Sequence, residues 1–238
     1  MIVIPDIHGR DFWRKAVKGN EEEEMVFLGD YVDPYSYYED VPEWEGMVAL
    51  AEVIDFKKKH PGNVTLLLGN HDLSYLSPLV AADRHDDENH DIIKSLLKKN
   101  LDLFDIVHER EIDGRRFIFS HAGILPAWLE ANRDVVGDMT LERGVGRLNE
   151  LFHAGVLYEA LGNVSAYRGG SDEAGSVVWA DLNEHMDLLS KNNGVNDNIF
   201  QIFGHTLQSL GRPLVMSTFA CVDCKRAFML NTSGEVEV

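Results

Sequence analysis

The stretch MVFLGDYVD, Met25 to Asp33, joins four consecutive apolar residues to a glycine and two carboxylates three positions apart. Four apolar residues closed by a glycine predict a short buried strand. At its end Asp30 and Asp33 repel each other unless each has a positive partner beside it. What the chain supplies as that partner decides how the rest of the sequence is read.

Upstream, Ile2-Val3-Ile4 is a second apolar strand, stopped by Pro5 and followed by Asp6-Ile7-His8-Gly9. A period of two puts Asp6 and His8 on one side of an extended chain. A short helix is predicted over 11–17, and a longer one over 43–59, where Trp44, Met47, Val48, Ala51, Ile54 and Phe56 approximate a helical stripe. After Pro61-Gly62, residues 64–68 form a third strand running into Gly69-Asn70-His71-Asp72. This strand-helix-strand rhythm predicts a parallel sheet with right-handed crossovers.

The second half changes character. Residues 106–112 and 115–120 flank Asp113-Gly114, a hairpin signal, and the return strand runs into Ser120-His121-Ala122-Gly123. Helical material is predicted from about 140 to 161. Short strands follow at 176–179, 199–203, 218–222 and 226–230, and the second of these runs into Gly204-His205-Thr206. The pattern is α/β, with two sheets face to face and helices outside. Five strands end in a potential metal ligand beside a glycine, as befits sites built where loops converge at the carboxyl edge of a sheet.

Composition bounds the function. The 238 residues suit a single domain over 1–238, and 40 acidic against 22 basic residues give a net charge of −18. So negative a chain repels phosphate backbones, which disfavours general nucleic-acid binding unless a bound divalent cation reverses the local field. The acidic runs 21–24 and 83–91 are read as solvated loops or helix starts. No apolar run is long enough to span a membrane, and the opening MIVIPDIHGR has no signal-peptide character. Two cysteines make no disulfide framework, so a cytoplasmic location is expected, with Cys221 and Cys224 as packing residues.

The ordered set Asp6-x-His8-Gly9, Gly29-Asp30-x-x-Asp33, Gly69-Asn70-His71-Asp72, His121-Ala122-Gly123 and Gly204-His205 resembles the calcineurin-like metallophosphoesterase superfamily. GDYVD, SHAGI (120–124) and VVWAD (177–181) are most similar to its phosphoprotein phosphatase branch and bacterial relatives. The resemblance spans Asp6 to about Asp223. It implies a four-layer α-β-β-α sandwich of two mixed sheets flanked by helices. It also implies two divalent metal ions: Asp6, His8 and Asp30 hold the first, and Asp30 bridges to a second completed by Asn70, His121 and His205. Imidazole, carboxylate and amide donors suit manganese, with iron, zinc, nickel or cobalt as alternatives, better than calcium.

By the same resemblance His71 is the general acid and Asp33 orients it, which supplies the partners that Asp30 and Asp33 lack in isolation. The implied activity is hydrolysis of a phosphomonoester, a serine/threonine phosphoprotein being the first guess. Hydrolysis of a diadenosine polyphosphate or other nucleotide anhydride is the alternative. A nuclease or other phosphodiesterase is disfavoured by the charge, and by the absence of a second histidine two residues after His205. A binding module that has lost turnover is disfavoured because all six ligands and the acid pair are present.

The pattern also departs from that branch. Pro34 and Tyr35 stand where arginine and glycine continue GDYVD, and no arginine lies between Trp179 and His205. Arg168, in Tyr167-Arg168-Gly169-Gly170, is the candidate replacement for contacting phosphate, with Arg84 second because its surroundings are acidic. Tyr35, Tyr37, Tyr38 and Trp44 are expected to pack their loop onto the domain, a lid or stacking platform being the alternative. His60, His85, His90, His108, His153 and His185 are read as surface or structural.

Overall fold

Apolar runs become strands here, and the stretches between them become helices. The structure, a computed structural model, describes residues 1–191, 196 and 198–237. The first half contains β1 (Ile2–Ile4), α1 (Phe12–Val17), β2 (Met25–Phe27), α2 (Trp44–Lys59), β3 (Val64–Leu67), α3 (Asn70–Leu76), α4 (His90–Lys99) and β4 (Phe104–Asp105). Next come β5 (Val107–Ile112), β6 (Arg115–Ser120), α5 (Pro126–Ala131), α6 (Arg133–Val136), α7 (Arg147–His153), α8 (Tyr158–Leu161) and α9 (Leu182–Ser190). Last are β7 (Ile199–Phe203), β8 (Leu214–Val215), β9 (Phe219–Cys221), β10 (Phe228–Leu230) and β11 (Val236–Glu237).

Among the described residues the strands form two mixed sheets, in orders β11-β10-β1-β2-β3-β4 and β5-β6-β7-β9-β8. β1 to β4 are parallel neighbours, with Ile2 opposite Met25 and Met25 opposite Val64. In the second sheet β6, β7 and β9 are parallel, and β5 and β8 close the edges antiparallel. Side-chain alternation assigns the layers. Val3, Val26 and Leu67 face Phe117, Phe119, Phe200, Ile202 and Ala220 in one buried cluster between the sheets. Ile2, Ile4, Met25, Phe27 and Leu66 point the other way, against Trp13 of α1 and Leu50, Val53 and Ile54 of α2. On the far side Phe203 and Phe219 meet Leu182, Met186 and Leu189 at α9. The result is the expected four layers.

Three expectations fail locally. Residues 176–179 form a turn and not a strand, because Ser176 O accepts from Trp179 N (2.9 Å) and Ala180 N (2.8 Å) while its hydroxyl donates to Leu161 O (2.7 Å). That local bonding overrides the β propensity of Val177 and Val178. The single helical region over 140–161 is two helices, α7 and α8, interrupted at Gly155 (φ 74°). Finally, α3, α4, α5, α6 and α9 are helices that the periodicity did not predict. α9 carried a signal all the same: Asp181 and Glu184 form a capping box, with Asn183 N donating to Asp181 Oδ1 (2.8 Å) and Asp181 N to Glu184 Oε2 (2.8 Å). No helix among the described residues is long and apolar enough to cross a membrane.

Candidate active site

The ends of β1, β2, β3, β6 and β7 meet at one edge of the sandwich, where a cavity of about 360 Å³ is lined by Asp6, His8, Asp30, Asn70, His71, Arg168 and His205, among others. His121, the remaining predicted ligand, is fully buried directly behind it. The chain reaches this edge by a route that differs from the simple extended reading. His8 has φ 43°, and both Ile7 N and His8 N donate to Asp30 O (3.0 and 2.7 Å). A tight turn, not a strand period, therefore aims His8 inward while Ile7 enters the core. Asp30, Asp33 and His205 also adopt positive φ (51°, 55° and 61°). That conformation costs roughly 1–2 kcal/mol for a residue with a Cβ, and it gathers here at the site.

Carboxylates and glycines fit together closely. Asp6 accepts His205 N on both oxygens (3.1 and 3.0 Å), tying the end of β1 to the end of β7. A Cβ on Gly204 would overlap the Asp6 carboxylate, and one on Gly69 would overlap that of Asp30. Asp72 holds the floor. Its carboxylate accepts Asp30 N (2.7 Å), Gly69 N (2.9 Å) and Tyr31 N (3.0 Å), so one buried side chain fastens the ends of β2 and β3.

The imidazoles are aimed by main-chain carbonyls. His8 Nδ1–H donates to Val32 O (2.8 Å) and His121 Nδ1–H to Leu28 O (2.9 Å), which turns each Nε2 toward Asp30 Oδ2, at 3.4 and 3.5 Å. His121 Nε2 also lies 3.1 Å from Asn70 Oδ1 and 3.1 Å from His205 Nδ1. Two compact donor groups result, His8-Asp30-His71 and Asp30-His121-His205, and Asp30 belongs to both.

Electrostatics favour a cation among these donors. Burial pushes the His8 imidazole down to about 3 against the pull of Asp30, and pushes His205 well below its usual range. Both rings are therefore neutral at pH 7 and present lone pairs. Burial raises the Asp6 carboxyl, with Asp30 adding to it and His121 opposing it. Burial acts on Asp30 as well, yet neighbouring imidazoles, His121 and His71 foremost, hold its carboxyl below the ordinary range. Lone pairs and carboxylate oxygens facing one another repel without a positive charge between them, and His205 Nε2 is buried with no hydrogen-bond partner. The residues present fit divalent metal ions, with the outer contacts to Val32 and Leu28 fixing the rings of His8 and His121.

Beside this cluster His71 Nδ1 bonds Asp33 Oδ2 at 2.7 Å. Asp33 is itself fixed, its other oxygen accepting Tyr75 Oη (2.5 Å) and Asp86 N (3.1 Å). Burial disfavours the imidazolium, but Asp30, the Asp33 hydrogen bond and Asp83 together lift His71 to about 10, so the ring carries a proton at neutral pH.

Other expectations are revised. Tyr37 and Tyr38 do not pack their loop onto the domain, being 90% and 80% exposed, and Trp44 is half exposed. Tyr35 turns inward, edge-on to His8 with 5.1 Å between ring centroids. Arg168 reaches the cavity wall, with Nε 2.7 Å from Asp181 Oδ2 and Nη2 2.6 Å from Thr206 Oγ1. The VVWAD turn thus delivers Asp181 to Arg168 and the Trp179 ring to His205, 5.4 Å between centroids. The run 83–91 is not merely solvated: Asp86 is buried and Asp83 Oδ1 lies 3.1 Å from His71 Nε2. Nothing in the sequence distinguishes these two from their acidic neighbours, whereas Asp72 was visible within GNHD without a role. Cys221 is a buried free thiol in β9, and His185 is buried against Phe203, as expected.

A sequence model of the calcineurin-like phosphoesterase family matches residues 1–209. The chain belongs to the calcineurin-like phosphoesterase family, and it is accordingly a metal-dependent phosphoric ester hydrolase. Among solved structures, it is similar to the cold-active protein-tyrosine phosphatase of a psychrophilic Shewanella species, at 18% identity and a TM-score of 0.54, covering 99% of this chain and 78% of that one. A mutant of a cold-active protein-tyrosine phosphatase gives 18% identity and a TM-score of 0.53, over 99% and 78% of the two chains. A further structure of a cold-active protein-tyrosine phosphatase gives 18% and 0.57, over 99% and 77%. At this identity the likeness is one of fold. No curated protein sequence matches the chain.

Proposed function

We propose that the chain is a phosphatase hydrolysing phosphomonoesters, phosphoproteins among them, at a centre of two divalent cations. The observation that supports this best is that Asp30 lies against His8 on one side and His121 and His205 on the other, with the adjoining His71 tied instead to a buried carboxylate. In this reading Asp6, His8 and Asp30 hold one cation, and Asp30, Asn70, His121 and His205 hold the other. Manganese is the first metal to test, ahead of iron, zinc, nickel and cobalt. Such cations, when bound, supply the charge that neutralises phosphoryl oxygens and brings the pKa of a water toward neutrality.

The chain's own groups do the rest. His71 donates its Nε2 proton to the leaving oxygen as the P–O bond breaks, so that an alcohol departs and not an alkoxide. Asp33 keeps the ring protonated and oriented, and Tyr75 and Asp86 keep Asp33 in place. Arg168, fixed by Asp181 and Thr206, holds a phosphate oxygen at the cavity wall. The test is phosphate release from 4-nitrophenyl phosphate, a phosphoseryl peptide and a phosphotyrosyl peptide after chelation and reloading with each metal. Metal-dependent release is expected, and none with any of the five metals refutes the reading. The free thiols of Cys221 and Cys224 suit a reducing, cytoplasmic setting.

The exposed Tyr37 and Tyr38 rings favour a second reading, hydrolysis of a nucleotide anhydride such as a diadenosine polyphosphate whose base stacks on them. Their joint replacement by alanine then raises KM for the dinucleotide and not for the aryl ester. An unchanged dinucleotide KM removes that reading.

A further inference from the structure

We propose that His71 Nε2 and Arg84 Nη1 together form the site for an oxygen of the substrate's phosphate ester, and that Asp83 fills this site until substrate displaces it. The proposal rests on the phosphoesterase reading of the same cavity. Two donors converge on one oxygen: Asp83 Oδ1 lies 3.1 Å from His71 Nε2 and 3.0 Å from Arg84 Nη1, which also reaches Asp83 Oδ2 at 3.1 Å. A carboxylate oxygen held between an imidazole N–H and a guanidinium has the charge and the acceptor geometry of a phosphate-ester oxygen.

Both donors are held by groups other than Asp83. Asp33 Oδ2 bonds His71 Nδ1 at 2.7 Å, and the main-chain carbonyl of the same Asp33 accepts Arg84 Nη2 at 3.2 Å. The guanidinium carbon of Arg84 also sits 3.5 Å from the centre of the Tyr35 ring, a stacking contact that survives loss of Asp83. One residue, Asp33, therefore positions the proton donor with its side chain and the cationic donor with its backbone. Asp83 itself is weakly placed, with 68% of its side chain exposed. It lies on a short segment between buried Val80 and buried Asp86, whose N–H donates to Tyr75 Oη (2.8 Å) and Asp33 Oδ1 (3.1 Å). The segment can yield while both of its ends stay anchored.

The geometry carries a direct conflict. His71 has one nitrogen toward the cavity, and its hydrogen bond goes to Asp83. A leaving oxygen that takes this proton must occupy the place of Asp83 Oδ1, and on doing so it inherits Arg84. The arginine that Pro34 cannot supply thus arrives from the segment after α3.

The test compares Asp83→Asn, Arg84→Gln and wild type, using 4-nitrophenyl phosphate turnover and calorimetric binding of inorganic phosphate to the metal-loaded protein. Asp83→Asn is expected to lower both KM and the phosphate Kd about three- to tenfold, because an internal anionic competitor is removed. Arg84→Gln is expected to raise both about tenfold. Unchanged or weaker phosphate binding in Asp83→Asn overturns the proposal. A lower kcat at constant KM also overturns it, since Asp83 then merely orients His71. Absence of turnover in wild type would refute the phosphatase reading, while the phosphate affinities would still decide on this one.

Discussion

Replacing Asp72 by asparagine tests the scaffold on which the whole site depends. The carboxylate is fully buried and accepts three main-chain N–H groups, from Asp30 (2.7 Å), Gly69 (2.9 Å) and Tyr31 (3.0 Å). An asparagine of the same shape keeps one acceptor oxygen and turns an NH₂ toward the remaining donors. At least one main-chain N–H and the new amide hydrogens then lack acceptors. Each buried unpartnered group costs about 1–3 kcal/mol. Allowing for non-additivity, the expected loss is about 3–5 kcal/mol, a large share of the 5–15 kcal/mol typical of a folded domain. Urea unfolding in excess chelator isolates this from metal binding, and the midpoint should fall by about 1–2 M at an unchanged slope. Manganese affinity, read by calorimetry in folding conditions, should weaken about ten- to a hundredfold, because Asp30 is no longer held. A variant that unfolds within about 1 kcal/mol of wild type refutes the argument that Asp72 fastens the two strand ends.

Three further outcomes are expected. His71→Asn should lower kcat about 10²–10⁴-fold on phenyl phosphate and far less on 4-nitrophenyl phosphate, whose leaving group needs no proton; equal losses on both substrates dismiss His71 as the acid. Glu39 is held down to about 2 by its hydrogen bonds from Arg10, with burial opposing and Lys225 assisting. A depressed folded pKa contributes stability that is complete above the ordinary value of 4.5 and fades as pH falls toward 2, so the difference in urea midpoint between wild type and Glu39→Gln should be constant above pH 5.5 or so and shrink below it. A gap that widens on acidification contradicts this assignment. Burial pushes the Cys224 thiol up to about 11 and Cys221 higher still, so the native protein at pH 8 should react slowly with a disulfide reagent and release both thiols only in urea; rapid native reaction of both places them at the surface.

The sequence by itself marked most of the strands and the polar side chains gathered at their ends. Each candidate ligand follows directly on an apolar run, so strand and candidate are read within a few residues of one another, and convergence follows because parallel strands present their carboxyl ends at one edge. The tertiary structure decided whatever depends on partners distant in the chain. The VVWAD stretch has strand-forming residues but becomes a turn through Leu161 and Ser176. Tyr37 and Tyr38 look like packing residues and stand in solvent, while Asp83, one acidic residue in an acidic run, meets His71 twelve positions upstream. His8 reaches the site through a left-handed turn pinned by Asp30 O. Local propensity is written in neighbouring side chains, whereas burial, charge pairing and backbone strain are settled only when segments far apart compete for the same hydrogen-bond donors and acceptors.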